Sequence, residues 1–304
     1  MSHTMEGKWS LDQVGSLSDK VAVITGANSG IGYETALGLA KKDMTVILGC
    51  RDLTKAQKAK STIIHQYSKA KVDCLPIDTS RLRSVRAFAT LVETQYGKLD
   101  LLINNAGIMM SPYQVTEDGF ENQFATNYLG HFALTGLLLP LLKRVAGSRV
   151  VTLTSLSYKW AEIDFDDLQA KKGYSRRTAY GQSKRACLIF AYELQRRLAG
   201  ADYDIRSIAA HPGLAKTNLD QYFPALIRPL GSLFLQPARQ GALPVLYGAL
   251  ETAIKGGEFV GPDGFQQMRG SPRLVDSDEY SKDIQVAERL WTASQSLTNV
   301  IYLS

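Results

Sequence analysis

Thr25-Gly26-Ala27-Asn28-Ser29-Gly30-Ile31-Gly32 follows a short β-type run at 21–25 and opens an amphipathic stretch at 32–42. Gly26 can make the tight turn, Gly30 lets backbone approach a pyrophosphate, and Gly32 permits close helix–strand packing. The first N–H groups of the following helix then face the phosphates.

Working outward, runs at 21–25, 44–50, 72–77, 99–104, 150–154 and 205–210 are short, rich in Val and Ile, and apolar on both faces. That pattern predicts strands of a covered parallel sheet. Helical segments at 32–42, 55–67, 82–96, 121–142 and 178–198 alternate with them. Strand–helix alternation implies right-handed βαβ units, hence an α/β fold: a Rossmann-like doubly wound parallel sheet in a single domain. Residues 1–19 are read as a polar N-terminal extension and 20–304 as the domain. After Pro212 the pattern changes. Residues 217–240 are apolar but broken by Pro224, Pro229, Gly231 and Pro237, which suits a lid over a substrate site. Residues 256–273 read as a loop region, followed by a final helix near 283–297.

The chain of 304 residues is 45% hydrophobic and 21% charged, with formal charge +6. Basic pairs such as Lys41-Lys42, Lys171-Lys172 and Arg196-Arg197 are scattered among acids. They fit an anionic cofactor and a solvated surface better than a nucleic-acid partner. No apolar run reaches the roughly 18 residues of a membrane span, and residues 1–19 hold no signal-peptide core. Cys50, Cys74 and Cys187 show neither metal-ligand spacing nor a disulfide framework, so no metal and a reducing, cytoplasmic setting are expected.

The chemical signal is Tyr180-Gly181-Gln182-Ser183-Lys184 on a predicted helix. Residues i and i+4 share a helix face, so phenol and ammonium point into one pocket. A nearby cation is expected to lower the tyrosine pKa, making Tyr180 a proton donor to a carbonyl or a base for an alcohol. Ser155 ends the fifth strand in Thr152-Leu153-Thr154-Ser155. No His–Asp–Ser arrangement competes, and His131 reads as a packed or capping histidine.

In order and spacing, these elements resemble the short-chain dehydrogenase/reductase family. The turn has its Gly-x-x-x-Gly-x-Gly spacing, not the Gly-x-Gly-x-x-Gly of the long-chain dehydrogenases. The resemblance covers roughly 20–219. The insert with Asp164-Phe165-Asp166-Asp167-Leu168 and Tyr174, and the tail 256–264, are similar to the retinol-dehydrogenase-like branch in its bacterial form. Where that branch continues Ser-Lys-Leu-Ala-Asn, this chain has Ser183-Lys184-Arg185-Ala186-Cys187.

The resemblance implies a nicotinamide cofactor on Gly26, Asn28, Ser29, Gly30, Ile31 and Gly32, with its selectivity set where the second strand ends. There Arg51 can grip a ribose 2′-phosphate, so NADP(H) is expected over NAD(H). The adjacent Asp52 either opposes that phosphate or begins the next helix. By the same resemblance Asp78 reaches the adenine edge, unless it caps the helix beginning near Ser80. Asn105, Ala106 and Gly107 line the cofactor ribose, Pro212-Gly213 backs the nicotinamide, and Thr217 binds its carboxamide or the phosphates. Ser155 and Tyr180 would polarise the substrate oxygen, Lys184 would anchor the nicotinamide ribose, and Asn127 would hold a water linking that lysine to solvent.

Together these readings imply an oxidoreductase that moves hydride between NADP(H) and a carbonyl/alcohol carbon. Leu219, Tyr222, Phe223, Leu226, Ile227, Leu233, Phe234 and Leu235 suit a lipophilic small-molecule substrate. Homo-oligomerisation stays open. The alternatives are a catalytically silent NADP(H) sensor and an epimerase or double-bond reductase using the same hydride machinery.

Overall fold

The structure, a computed structural model, describes residues 8–215 and 236–304. The expected lid at 217–240, except for its last residues, and Thr217 therefore lie outside the described residues. Six strands come first: β1 (Val21–Thr25), β2 (Thr45–Cys50), β3 (Lys71–Pro76), β4 (Leu101–Asn104), β5 (Ser148–Leu153) and β6 (Ile205–Ala210). The major helices between them are α1 (Gly30–Ala40), α2 (Leu53–Gln66), α3 (Leu82–Gln95), α4 (Gly130–Leu142) and α5 (Arg176–Gly200). The chain then adds α6 (Ala238–Leu250), β7 (Phe259–Pro262), β8 (Pro272–Val275) and α7 (Ile284–Thr298).

The sheet runs β3-β2-β1-β4-β5-β6-β7-β8, parallel except for β8. Strand side chains alternate between two apolar layers, as the two-residue period requires. Val23, Ile47, Leu102 and Val150 face a core shared with α3, α4, α5 and α7. Ala22, Val46, Ile103 and Val151 face one shared with α1, α2 and α6. Covered on both faces, the central strands β1, β2 and β4 are apolar along nearly their whole length. Trp9, ahead of β1, is buried edge-on to Tyr247 of α6 with ring centroids 5.4 Å apart.

β1 pairs with β2 on one side and β4 on the other, so the strand order reverses there. In doubly wound sheets the crevice outside the strand C-termini at that reversal is where ligands bind.

Three expectations need correction. The 121–142 segment is not one α-helix: it starts as a turn at Asn122–Phe124, widens into a π-helical turn at Ala125–Leu129, and only then becomes α4. The 256–273 stretch holds β7 and the first half of β8, an antiparallel pair at the sheet edge, where Gly and Pro are tolerated. Finally, α6 is a helix that the expected elements omit: Pro244 interrupts its sequence pattern, while Ala242, Val245, Leu246 and Ala249 pack against the sheet. Among the described residues, no helix is long and apolar enough to cross a membrane.

Two interior histidines carry the chain's buried polar wiring. His131 of α4 donates from Nδ1 to the Asn127 carbonyl at 2.9 Å, so its Nε2 accepts from the Thr25 hydroxyl at 2.8 Å. His211 accepts at Nδ1 from the Gly213 N–H at 3.2 Å and donates from Nε2 to Gln267 Oε1 at 2.9 Å. Each ring is thereby neutral with one assigned N–H. Burial pushes both down from 6.5 to about 4. Between those values the unfolded chain binds protons that the folded interior refuses, so the stabilisation is complete above pH 6.5 and is lost as pH falls toward 4. Unfolding free energy should therefore drop by about 1.4 kcal/mol per pH unit for each histidine across that window. Denaturant titrations at several pH values check this, and an unaltered slope in a His131→Gln, His211→Gln double variant would refute the assignment.

Candidate active site

The C-terminal ends of β1, β2, β4, β5 and β6 lie level: Thr25 pairs with Gly49, Ile24 with Ile103, Asn104 with Thr152, and Leu153 with Ala210. Every loop that leaves this edge therefore starts from one rim, and the described sequence-expected residues fall on those loops, on the segment after β3, on the π-helical turn before α4, or on α5.

The glycine turn opens from β1. Gly26 has φ of +67°, and a Cβ there would come 2.9 Å from the Ala106 Cα. A Cβ on Gly32 would stand 2.5 Å from Asn105 Nδ2 and 2.6 Å from the Gly26 carbonyl. Both positions thus need glycine for the turn to lie flat against the strip 105–107. Asn28, Ser29 and Gly30 are partly open, while Ile31 is buried beneath them. The first turn of α1 holds no acidic residue to offset the positive helix end.

The strip after β4 is tied to the turn by Thr25. Its Oγ1 accepts from the Asn105 and Ala106 N–H groups, each at 2.9 Å, and Asn105 Nδ2 donates to the Thr25 carbonyl at 2.7 Å. A Cβ at Gly107 would stand 3.1 Å from Asn127 Oδ1 and 3.5 Å from Lys184 Nζ. The absent side chain keeps one small space between those two polar groups.

Asn127 is buried, not solvent-facing as mid-helix asparagines usually are. Its Oδ1 accepts from Ile108 N–H at 2.8 Å, and its Nδ2 donates to the Ile108 carbonyl at 3.0 Å and Ser183 Oγ at 2.9 Å. Its backbone carbonyl accepts from His131 and from the Cys187 thiol at 3.1 Å. Asn127 therefore braces the 105–108 strip against α5, with Oδ1 turned to the Gly107 space. Cys187 is a buried donor to that brace, and burial raises its thiol pKa.

On α5, Tyr180 and Lys184 are buried one turn apart. Lys184 Nζ donates to the Leu153 carbonyl at 3.2 Å, and Thr154 Oγ1 donates to the Lys184 carbonyl at 2.7 Å. Ser155 begins the short helical turn Leu156–Trp160, its Oγ accepting from the Ser157 N–H at 3.2 Å. The electrostatics differ from the expectation that the ammonium would lower the phenol. Burial raises the Tyr180 pKa well above its ordinary value, with the Ser155 hydroxyl working against that rise. Burial likewise lowers Lys184. Each charged form loses its hydration on enclosure, and that loss is the largest cause of both shifts.

At the far end of the crevice, Asp52 resolves the choice left at β2. Its carboxylate caps α2, accepting from the Lys55 N–H at 3.0 Å, with Lys55 Nζ 3.3 Å away. Arg51 is exposed beside it, with no carboxylate in ion-pair reach among the described residues. Asp78 does not cap α3. That helix begins later, at Leu82, whose N–H donates to Asp118 at 2.8 Å. The Asp78 Oδ1 instead accepts from the Ser80 N–H and hydroxyl at 3.0 and 2.6 Å. Pro212 and Gly213 lie after β6, where Gly213 has φ of +66° and the Pro212 carbonyl accepts from Gln236 Nε2 at 2.7 Å.

Thr25, His131 and Thr154 are structural partners of this site that the sequence reading did not select. Thr25 stood inside the glycine turn, and His131 stood four residues after Asn127, one helical turn away. Those spacings were the available signals.

Comparison with known proteins agrees with this geometry. Residues 20–225 match the family model described as short chain dehydrogenase. Human retinol dehydrogenase 14 is 37% identical over 94% of this chain and 88% of its own length. Mouse retinol dehydrogenase 12 is 41% identical over 92% of this chain and 87% of its own length. The crystal structure of an uncharacterized protein from Mycobacterium paratuberculosis superposes with a TM-score of 0.82 at 39% identity, covering 97% of this chain and 98% of that one. The fold binds a nicotinamide cofactor, and the class of chemistry is oxidoreduction at an alcohol or carbonyl carbon. This chain belongs to the short-chain dehydrogenase/reductase family, on its retinol-dehydrogenase-like branch.

Proposed function

We propose that this protein is an NADP(H)-dependent carbonyl reductase, reversible as an alcohol dehydrogenase, with Tyr180 as its acid/base. One observation carries the reading: Tyr180, Lys184 and Ser155 converge on the same strand-end rim as a glycine turn that a Cβ would block.

The cradle suits the cofactor. Gly26, Asn28, Ser29, Gly30, Ile31 and Gly32, with the uncompensated N-terminus of α1, hold the pyrophosphate. Arg51 holds the ribose 2′-phosphate, since Asp52 is committed to its helix and to Lys55. Asp78 meets the adenine, Asn105, Ala106 and Gly107 the adjoining ribose, and Lys184 the nicotinamide ribose. Pro212 and Gly213 back the ring. When bound, the nicotinamide supplies or accepts the hydride.

The chain's own groups manage the substrate oxygen. Ser155 and Tyr180 donate to it, and Tyr180 gives up the proton as the oxygen becomes an alkoxide. Reduction requires a phenol that still carries its proton, and burial keeps Tyr180 in that form. Lys184 meets the developing phenolate with positive charge, while the gap above Gly107 gives Asn127 Oδ1 and Lys184 Nζ a shared place for a relay water. A lipophilic substrate fits the partly exposed Tyr113 and Trp160 and the alcohols named for the retinol dehydrogenases it resembles.

Tyr180→Phe should cut kcat by about 10²- to 10⁴-fold while NADPH still binds. Assay over a carbonyl panel with C4-deuterated NADPH decides this: label must arrive on the carbinol carbon, and full turnover in the variant would sink the mechanism. Arg51→Ala should raise KM for NADPH by roughly 10- to 100-fold and leave NADH nearly unchanged. Equal losses with both cofactors would remove Arg51 from the 2′-phosphate.

A further inference from the structure

Arg185 follows Lys184 directly, yet its side chain leaves the pocket and is almost wholly buried, at 4% exposure. Its Nε donates to the carbonyls of Tyr158 and Ala161 at 2.9 and 2.7 Å. Its Nη1 donates to Asp278 Oδ1 at 2.7 Å and to Ser281 Oγ at 2.9 Å. The guanidinium also lies 5.3 Å from the Tyr158 ring centroid and 5.0 Å from that of Tyr280. Tyr280 in turn accepts from the Ile163 N–H at 3.1 Å.

The two carbonyls flank the end of the turn that Ser155 begins. Ser155 accepts from Tyr158 N–H at 2.9 Å through its carbonyl, and Trp160 closes the turn with its ring centroid 6.2 Å from that of Tyr180. The front of this turn therefore faces the reacting oxygen, and the back is hung on one guanidinium. A buried ion pair is weak support for stability, since well-packed apolar residues often do as well. A planar guanidinium, however, holds its Nε and Nη1 donors at a fixed angle, so one side chain ties the two carbonyls, through a shared Nε–H, to the carboxylate.

We infer that Arg185, anchored by Asp278, is a positioning residue for catalysis: from behind, it sets the Ser155–Trp160 turn against Tyr180. The C-terminal segment around Asp278–Ser281 thereby becomes part of the active-site support. This rests on the reading that Ser155 donates to the substrate oxygen.

The test is steady-state kinetics on the full chain with NADPH and a carbonyl that it turns over, alongside NADPH binding by fluorescence. Arg185→Met and Asp278→Ala should lower kcat, by about 10- to 100-fold for the arginine, because small misplacements of a donor are costly. NADPH affinity should stay at the wild-type value, since no Arg185 bond reaches the cofactor cradle. Placed on top of Ser155→Ala, neither change should lower kcat further, since residues acting through one group are not additive. Wild-type kcat in both single variants, or full-sized losses in the Ser155→Ala background, would overturn the inference. Should Arg185→Met not fold, Asp278→Ala, at a partly exposed position, carries the same test. Unchanged turnover in Ser155→Ala alone would instead overturn the underlying role of Ser155, and with it this proposal.

Discussion

The hydroxyl of Thr25 sits in the parting between β1 and β4, where the sheet changes direction and each strand's loop turns a different way. It accepts from two backbone N–H groups of the following strip and donates to the His131 ring. One hydroxyl offers two acceptor positions and one donor, so Thr25 is saturated. It is fully buried, and losing any partner would leave an unpaired polar group without water. This one oxygen keeps the glycine turn and the 105–107 strip a glycine's width apart. The spacing that admits a cofactor is thus set by a buried hydrogen-bond count before any cofactor arrives.

From that point the wiring continues into the chemistry. His131 hands its proton side to the Asn127 carbonyl, and Asn127 reaches Ser183, whose hydroxyl donates to the Tyr180 carbonyl at 2.8 Å. The π-helical turn around Asn127 belongs to this path. Such widened turns recur at functional sites, where they re-aim backbone groups. The path also accommodates Cys187. A thiol donates weakly to a carbonyl that His131 has already engaged, so it fills space without competing for the brace.

Burial shifts both groups of the Tyr180–Lys184 pair. A phenol and an ammonium enclosed by α5, β5 and the Ser155 turn lose hydration, which raises the pKa of the phenol and lowers that of the ammonium. Reading Tyr-x-x-x-Lys as a line of text captures the attraction between the groups and omits the cost of enclosing them. That cost depends on what packs around the helix, which no local motif specifies.

The strand and helix alternation through β6, the glycine turn and the placing of Tyr180 and Lys184 on one helix were legible because each rests on local rules: side-chain period, turn stereochemistry, or two residues one helical turn apart. The edge pair β7–β8 and the helix α6 were not, since Gly and Pro mask both strands and Pro244 interrupts the helix. Asp52 and Asp78 show the same boundary. Their carboxylates were visible as residues, but whether each serves a helix or a neighbouring turn depended on where the next helix began. The amino-acid sequence by itself determined the parallel architecture and the chemical types on its rim. Tertiary structure alone decided their states and partners, because hydration, hydrogen-bond saturation and the Arg185 clamp depend on groups brought together from across the chain.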